Sequence, residues 1–149
     1  MRSRVHRLVG SWRLEACEAV DSDGTVLFPL GPQAVGILIY TADGSMSVAI
    51  MKGDRPRFAA SDILGGTREE KALAAEGFLS YSGRYEVLGS RVRHTIEVSL
   101  FPNWVGSVQE RIVDLGDDTL VLKTDPIPLG GRTRVAQMRW RRLRTEGAA

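Results

Sequence analysis

Apolar and polar residues alternate with a period of two along most of this chain, the pattern of strands with one face buried. From Gly10 a first strand puts Trp12, Leu14 and Ala16 on one face and Arg13, Glu15 and Cys17 on the other. Asp21-Ser22-Asp23-Gly24 reads as a tight turn, with Gly24 free to take positive φ. Thr25 to Phe28 is a short second strand that Pro29-Leu30-Gly31-Pro32 breaks. Val35 to Thr41 is apolar on both faces, which predicts a strand covered on both sides. Ala42-Asp43-Gly44 makes a second Asp-Gly hairpin, leading into Ser45 to Met51. Residues 52–66 lose the period. Thr67-Arg68-Glu69-Glu70 then carries the reciprocal capping pattern of a helix start, and a helix of about ten residues follows, with Leu73, Ala74 and Phe78 as a modest apolar face. Such a helix lies over a barrel mouth or edge.

Alternation resumes with Leu79, Tyr81, Gly83, Tyr85 and Val87 on one face. After Leu88-Gly89-Ser90 comes a strand with Val92, His94, Ile96, Val98 and Leu100 facing one way. Phe101-Pro102-Asn103-Trp104 interrupts it. Strands then read over Val105 to Asp114 and Thr119 to Thr124, and Pro126 to Gly131 is a loop. The last strand shares Arg134, Ala136, Met138 and Trp140 on one face. Eight or nine strands joined mostly by hairpins form an antiparallel meander, and closure into a barrel removes the exposed edges. Eight strands enclose space for side chains or one small ligand.

Composition narrows the class. A chain of 149 residues is one domain, with an ordered core over about 8–143 and a disordered tail at 145–149. The apolar share of 43% and charged share of 26% are those of a soluble globular protein. No apolar run suits a membrane span and no secretory leader is visible, so the expectation is a cytoplasmic protein without a membrane partner. One cysteine excludes an internal disulfide, and two distant histidines with it make no metal site. No phosphate-binding glycine loop is present, and no cofactor is implied. The basic run Arg139 to Arg144 has no second basic surface or stacking platform, which argues against nucleic acid. A homodimer stays open.

Several segments carry a family resemblance. Leu8-Val9-Gly10-Ser11-Trp12 has the Gly-x-Trp pattern that opens the first strand of lipocalins. The runs Ile39 to Val48, Asp54 to Phe58, Phe78 to Val87, Ser99 to Gly106 and Pro126 to Gly131 resemble the bacterial and fungal lipocalin-like domain family, over roughly Leu8 to Leu143. The resemblance implies an all-β, eight- to nine-stranded antiparallel calycin-type barrel with one short helix, and an association with small-molecule or secondary-metabolite pathways. It also implies that Trp12 packs at a closed end against an arginine of the last strand, with Arg139 or Arg141 as partner.

Candidate chemistry follows from which faces point inward. His94 shares its face with Val92 and Ile96, so it either meets a ligand or moves a proton, or is a core histidine satisfied by a neighbour. His6 is expected to be exposed. Tyr81 and Tyr85, with Tyr40, offer rings to an apolar ligand and hydroxyls to its oxygens, or are ordinary packing. Gly83 between them marks a strand bend or room for a ligand. Phe101 and Trp104 form a lid or a plug at the rim. Met46 and Met51 are adaptable packing or cavity wall. Arg111, Glu97 and Lys123 have no clear sidedness, and a buried Arg111 needs an anionic or carbonyl partner. Two functions follow. One is binding of a small, mainly apolar, polyketide- or fatty-acid-like molecule, through Tyr40, Met51, Tyr81, Tyr85, His94, Phe101, Trp104 and Arg111. The other is a cofactor-free cyclase, isomerase or dehydratase with His94 or Tyr81 as acid or base. A filled barrel with a structural role is a third possibility.

Overall fold

The computed structural model describes residues 4–144; the expected tail at 145–149 and the side chain of His6 lie outside the described residues. A short helix α1 (Arg4–Leu8) leads into β1 (Gly10–Val20), β2 (Val26–Leu27), β3 (Val35–Tyr40) and β4 (Ser45–Met51). Helix α2 (Arg68–Glu76) is followed by β5 (Phe78–Leu88), β6 (Arg91–Ser99), a 3₁₀ turn over Pro102–Trp104, β7 (Val108–Leu115), β8 (Thr119–Lys123), β9 (Ile127–Leu129) and β10 (Arg132–Arg142). Every strand pairing is antiparallel, and β1 pairs with both β3 and β10. That double pairing closes an eight-stranded barrel, with β2 and β9 as short additions. The Asp-Gly turns are where the alternation places them, with Gly24 at φ 87° and Gly44 at φ 89°.

Two bulges change which side chains face inward. In β1 the pairing with β10 slips between Leu14 and Ala16, so Cys17 and Ala19 are buried and Ala16 is not. A bulge adds one residue to one strand and reverses its parity from there on. In β6 the slip against β5 falls between Ser82 and Gly83, where Gly83 pairs with Ile96 and Ser82 with Val98. Glu97 is the extra residue, Val98 turns out to 67% exposure, and Ser99 turns in. Gly83 is thereby explained as a bend and not as room for a ligand. A Cβ there would stand 2.0 Å from the carbonyl oxygen of Thr95, so only glycine lets β6 cross that closely.

One end of the barrel is plugged. Trp12 and Leu8 have no exposure, and the Trp12 indole donates to the Leu8 carbonyl at 3.0 Å. The cation over Trp12 is Arg142, at 4.2 Å from the ring centroid, rather than Arg139 or Arg141. Arg142 is the register partner of Trp12, and it also donates to the carbonyls of Val9 and Arg7; Arg139 faces solvent and Arg141 pairs with Glu15 outside.

The outer face of β3 is not covered. Val35, Ile37 and Ile39 are 46%, 47% and 38% exposed, because the longer helix packs beside β5 instead. That helix has the expected capping box, with Thr67 and Glu70 satisfying one another's backbone amides at 2.9 and 3.1 Å, and Glu70 also accepts from the amide of Ala59. The helix buries no residue fully; of the predicted apolar face Leu73 is exposed and Ala74 half-buried, while Phe78 belongs to β5 and lines the cavity.

Candidate functional site

The barrel is hollow. A cavity of about 600 Å³ opens at the end opposite Trp12, where the end of α2, the Phe101–Trp104 segment, Pro29-Leu30 and β9 form its rim. Inside, Leu38, Val48, Ile50, Leu122, Met138 and Trp140 make an aliphatic and aromatic wall. Trp104 meets Tyr81 edge-on at 5.6 Å, which holds it to the wall, and the half-exposed Phe101 packs on Trp104 at 5.7 Å.

Polar groups gather near the floor. His94, on β6, has no solvent exposure. Its Nε2 lies 2.7 Å from the hydroxyl of Tyr40 on β3, and its Nδ1 lies 3.0 Å from the hydroxyl of Tyr81 on β5. Tyr85 sits behind, edge-on to Tyr40 at 4.7 Å, and spends its hydroxyl on the Thr41 carbonyl at 2.7 Å. Arg111, on β7, is buried at 5% exposure and reaches the same cavity. One of its terminal nitrogens donates to the Glu110 carbonyl at 2.9 Å; its Nε has no partner.

Burial sets the protonation of this group. It drives the His94 imidazole down to about 3, with the charge of Arg111 adding to the shift, so the ring is neutral at neutral pH. Burial likewise raises the Tyr40 hydroxyl well above its ordinary range and raises that of Tyr81, the latter opposed by the charge and hydrogen bond of Arg111.

A neutral imidazole has one donor and one acceptor nitrogen, and hydrogen-bond accounting decides which. The Tyr40 hydroxyl is fully buried outside the cavity lining, and the imidazole is its hydrogen-bond partner. If it accepted from Nε2–H, its own proton would be stranded, at a cost of about 1–3 kcal/mol. The satisfied arrangement has Tyr40 O–H donating to Nε2 and Nδ1–H donating to the Tyr81 oxygen. The Tyr81 proton is then left to point into the cavity, which Tyr81 lines. The chain Tyr40–His94–Tyr81 thus ends in a hydrogen-bond donor at the cavity, beside the guanidinium of Arg111.

Of the residues singled out in the sequence, His94, Tyr81, Phe101, Trp104 and Arg111 line the cavity. Tyr40 and Tyr85 do not; Tyr40 acts from behind His94, and Tyr85 is turned to the β3–β4 hairpin. Met51 is outside the cavity as well. Met46, Val48 and Ile50 take the buried face of β4, leaving the Met51 sulfur half-buried on the outer face near Arg55. Glu97 and Lys123 are exposed. The lining residues not singled out are instructive. Met138, Trp140 and Leu122 follow plain alternation from their neighbours, whereas Cys17 and Ser99 reach the cavity only through the two bulges. The Cys17 thiol is pushed up to about 11, by burial first and Glu18 second.

Among solved structures, a lipocalin-like protein from Bacteroides uniformis aligns over 92% of this chain and 99% of its own, at a TM-score of 0.48 and 16% identity. An uncharacterized protein from Bacteroides eggerthii aligns over 91% and 99%, at 0.46 and 15%. The 4'-hydroxy-3'-methoxypropiophenone carrier protein ppsC of Aspergillus oryzae is 37% identical over 107 residues, 66% of this chain and 96% of the relative. The family model described as a lipocalin-like domain matches residues 9–143. The chain belongs to the lipocalin-like domain family.

Proposed function

We propose that this protein is a small-molecule carrier that holds a mainly apolar guest, carrying at least one hydrogen-bonding oxygen, inside the barrel. The observation that carries this is the cavity of about 600 Å³, apolar along most of its wall, with Tyr81, His94 and Arg111 gathered on one side and a few further polar groups such as Glu76 and Thr124. That division of labour is the one expected of a ligand site: apolar surface supplies affinity, and few fixed polar groups supply orientation. The similar fungal protein is named as the carrier of an aryl ketone, and such a ketone, mainly apolar with a few oxygens, fits inside a cavity of about 600 Å³. A place in a small-molecule or secondary-metabolite pathway, in the cytoplasm, goes with this function; no helix among the described residues is long and apolar enough to cross a membrane.

Trp104 and Trp140 line the cavity, so intrinsic fluorescence reports on it. Titration with 4-hydroxypropiophenone should change the emission saturably, and the ligand should be recovered chemically intact. No saturable change with this ketone or with a medium-chain fatty acid would refute carriage.

The Tyr40–His94–Tyr81 chain also supports a second reading, cofactor-free cyclisation, isomerisation or dehydration with Tyr81 or His94 moving a proton. An imidazole held near 3 is a poor general acid at neutral pH, which favours carriage. Conversion of the guest by the wild type, lost in His94→Ala while binding persists, would reverse that preference.

A further inference from the structure

We propose that the barrel takes its guest as an oxyanion: an acyl phenol bound as its phenolate, with the charged oxygen against Arg111. The inference presupposes carriage and adds the ionisation state and the contact that enforces it.

It begins with an unanswered charge. A guanidinium is a permanent cation in proteins, and a buried one without a counterion is strongly unfavourable. Arg111 is 5% exposed, and none of the ion pairs among the described residues includes it. Glu76 lines the same cavity from the end of α2, at the rim, and the titratable groups deeper in it are neutral. His94 and Tyr81 are held uncharged by burial, as is Tyr40 behind them, and from β1 the Cys17 thiol is too. Asp125, beyond β8, feels the charge of Arg111, but that exposed carboxylate is gripped at both oxygens by Arg91, at 2.8 and 3.0 Å. Glu110, next to Arg111 on β7, offers only its backbone carbonyl and turns its carboxylate outward to Arg91 and Arg93.

The hydrogen bonds say the same. Arg111 and Trp140 line the cavity, and the Arg111 Nε and the Trp140 indole nitrogen are buried donor-only groups without a partner. The Tyr81 proton joins them once His94 and Tyr40 are satisfied. A neutral phenol would bring a further donor to a cluster of donors. A phenolate brings an acceptor-only oxygen and the missing negative charge together. A para-acyl group makes this accessible near neutral pH, because the carbonyl shares the phenolate charge. On binding, the phenol O–H bond breaks and its proton leaves to solvent; Arg111, His94 and Tyr81 keep theirs.

The test follows the phenolate absorption band, which lies at longer wavelength than that of the phenol. 4-Hydroxypropiophenone, its 4-methoxy ether and decanoate are titrated into the wild-type protein, and the pH dependence of the bound absorbance is recorded. Bound 4-hydroxypropiophenone should titrate about 1–3 units below the free compound, the range an opposite charge at contact produces. The methoxy ether should bind at least about tenfold more weakly, and Arg111→Met should return the bound band to the neutral phenol while Arg111→Lys retains part of the shift. A bound ligand that keeps its phenol band, with the ether binding equally well, would overturn the proposal and leave carriage standing. Binding of neither aryl ketone would remove both. Tighter capture of decanoate than of the phenol would assign the oxyanion to a carboxylate and overturn the phenolate. The wild-type titration decides the matter even if Arg111→Met does not fold.

Discussion

Replacing Tyr40 and Tyr81 one at a time by phenylalanine separates two hydroxyls that touch the same imidazole. The Tyr40 hydroxyl is 2.7 Å from Nε2, fully buried and outside the cavity; that of Tyr81 is 3.0 Å from Nδ1 and lines it. Tyr40→Phe strands the buried Nε2 acceptor, and no tautomer rescues it, since reversal only strands the N–H instead. The expected cost is about 1–3 kcal/mol of stability. At about 2–4 °C per kcal/mol for a domain of this size, that is a fall in Tm of about 2–12 °C. Guest affinity should change by less than about threefold, because the Tyr81 donor stays in place. Tyr81→Phe also strands an imidazole nitrogen, and in addition removes the donor that meets the guest. One hydrogen bond to a ligand oxygen is worth about 0.5–1.5 kcal/mol, more if that oxygen is charged, so Kd should rise about tenfold. Thermal melts and tryptophan fluorescence titrations of the two variants decide it. The reasoning is refuted if Tyr40→Phe weakens binding as much as Tyr81→Phe does, or if it leaves Tm unchanged.

Other consequences reach beyond that pair. Because His94 is neutral in the fold down to about 3 but takes a proton near 6.5 when unfolded, the unfolded state binds the extra proton between those values. Stability should therefore be fully present above about pH 6.5 and fall as the solution is acidified towards 3, by up to about 1.4 kcal/mol per unit, and denaturant melts of His94→Gln should lack that component of the slope. Gly83→Ala drives a Cβ into the Thr95 carbonyl, which cannot move without breaking the β5–β6 ladder, so a loss at or above the upper end of about 1–3 kcal/mol should appear in denaturant melts. Thr67→Ala removes the cap of a helix that buries nothing but whose last turn forms part of the cavity rim. It should cost little global stability while increasing amide exchange in residues 68–76 and the rate of guest release, as read by stopped-flow fluorescence.

The barrel was legible because its strands alternate cleanly and its turns carry Asp-Gly signals with glycine where φ must be positive. His94, Tyr81, Phe101 and Trp104 were reachable for the same reason: each sits on, or directly beyond, a strand whose parity can be followed from a neighbour, whereas the strand of Arg111 mixes apolar and polar residues on both faces and left its sidedness open. Parity failed where a bulge inserted a residue. Nothing local in Leu14-Glu15-Ala16 announces the slip that turns Cys17 inward, and Gly83 hinted at a bend without saying that Glu97, across the ladder, would be the extra residue. Met51 was misplaced for a different reason. Its strand has apolar residues on both faces, so composition could not separate the wall from the outside, whereas the burial of Met46, Val48 and Ile50 does. The apolar outer face of Val35, Ile37 and Ile39 misled in the same way. The partner of Trp12 depended on exact register, and one position separated Arg141 from Arg142.

The central claim is that the guest lies within the barrel, against Tyr81, Trp104, Trp140 and Leu122. Intermolecular NOEs between 4-hydroxypropiophenone and isotope-labelled protein test it most directly. Contacts from the aromatic ring to those four side chains, with none to Val35, Ile37 or Ile39, are the predicted result. Contacts confined to that outer apolar face, with the cavity resonances unmoved, would contradict it.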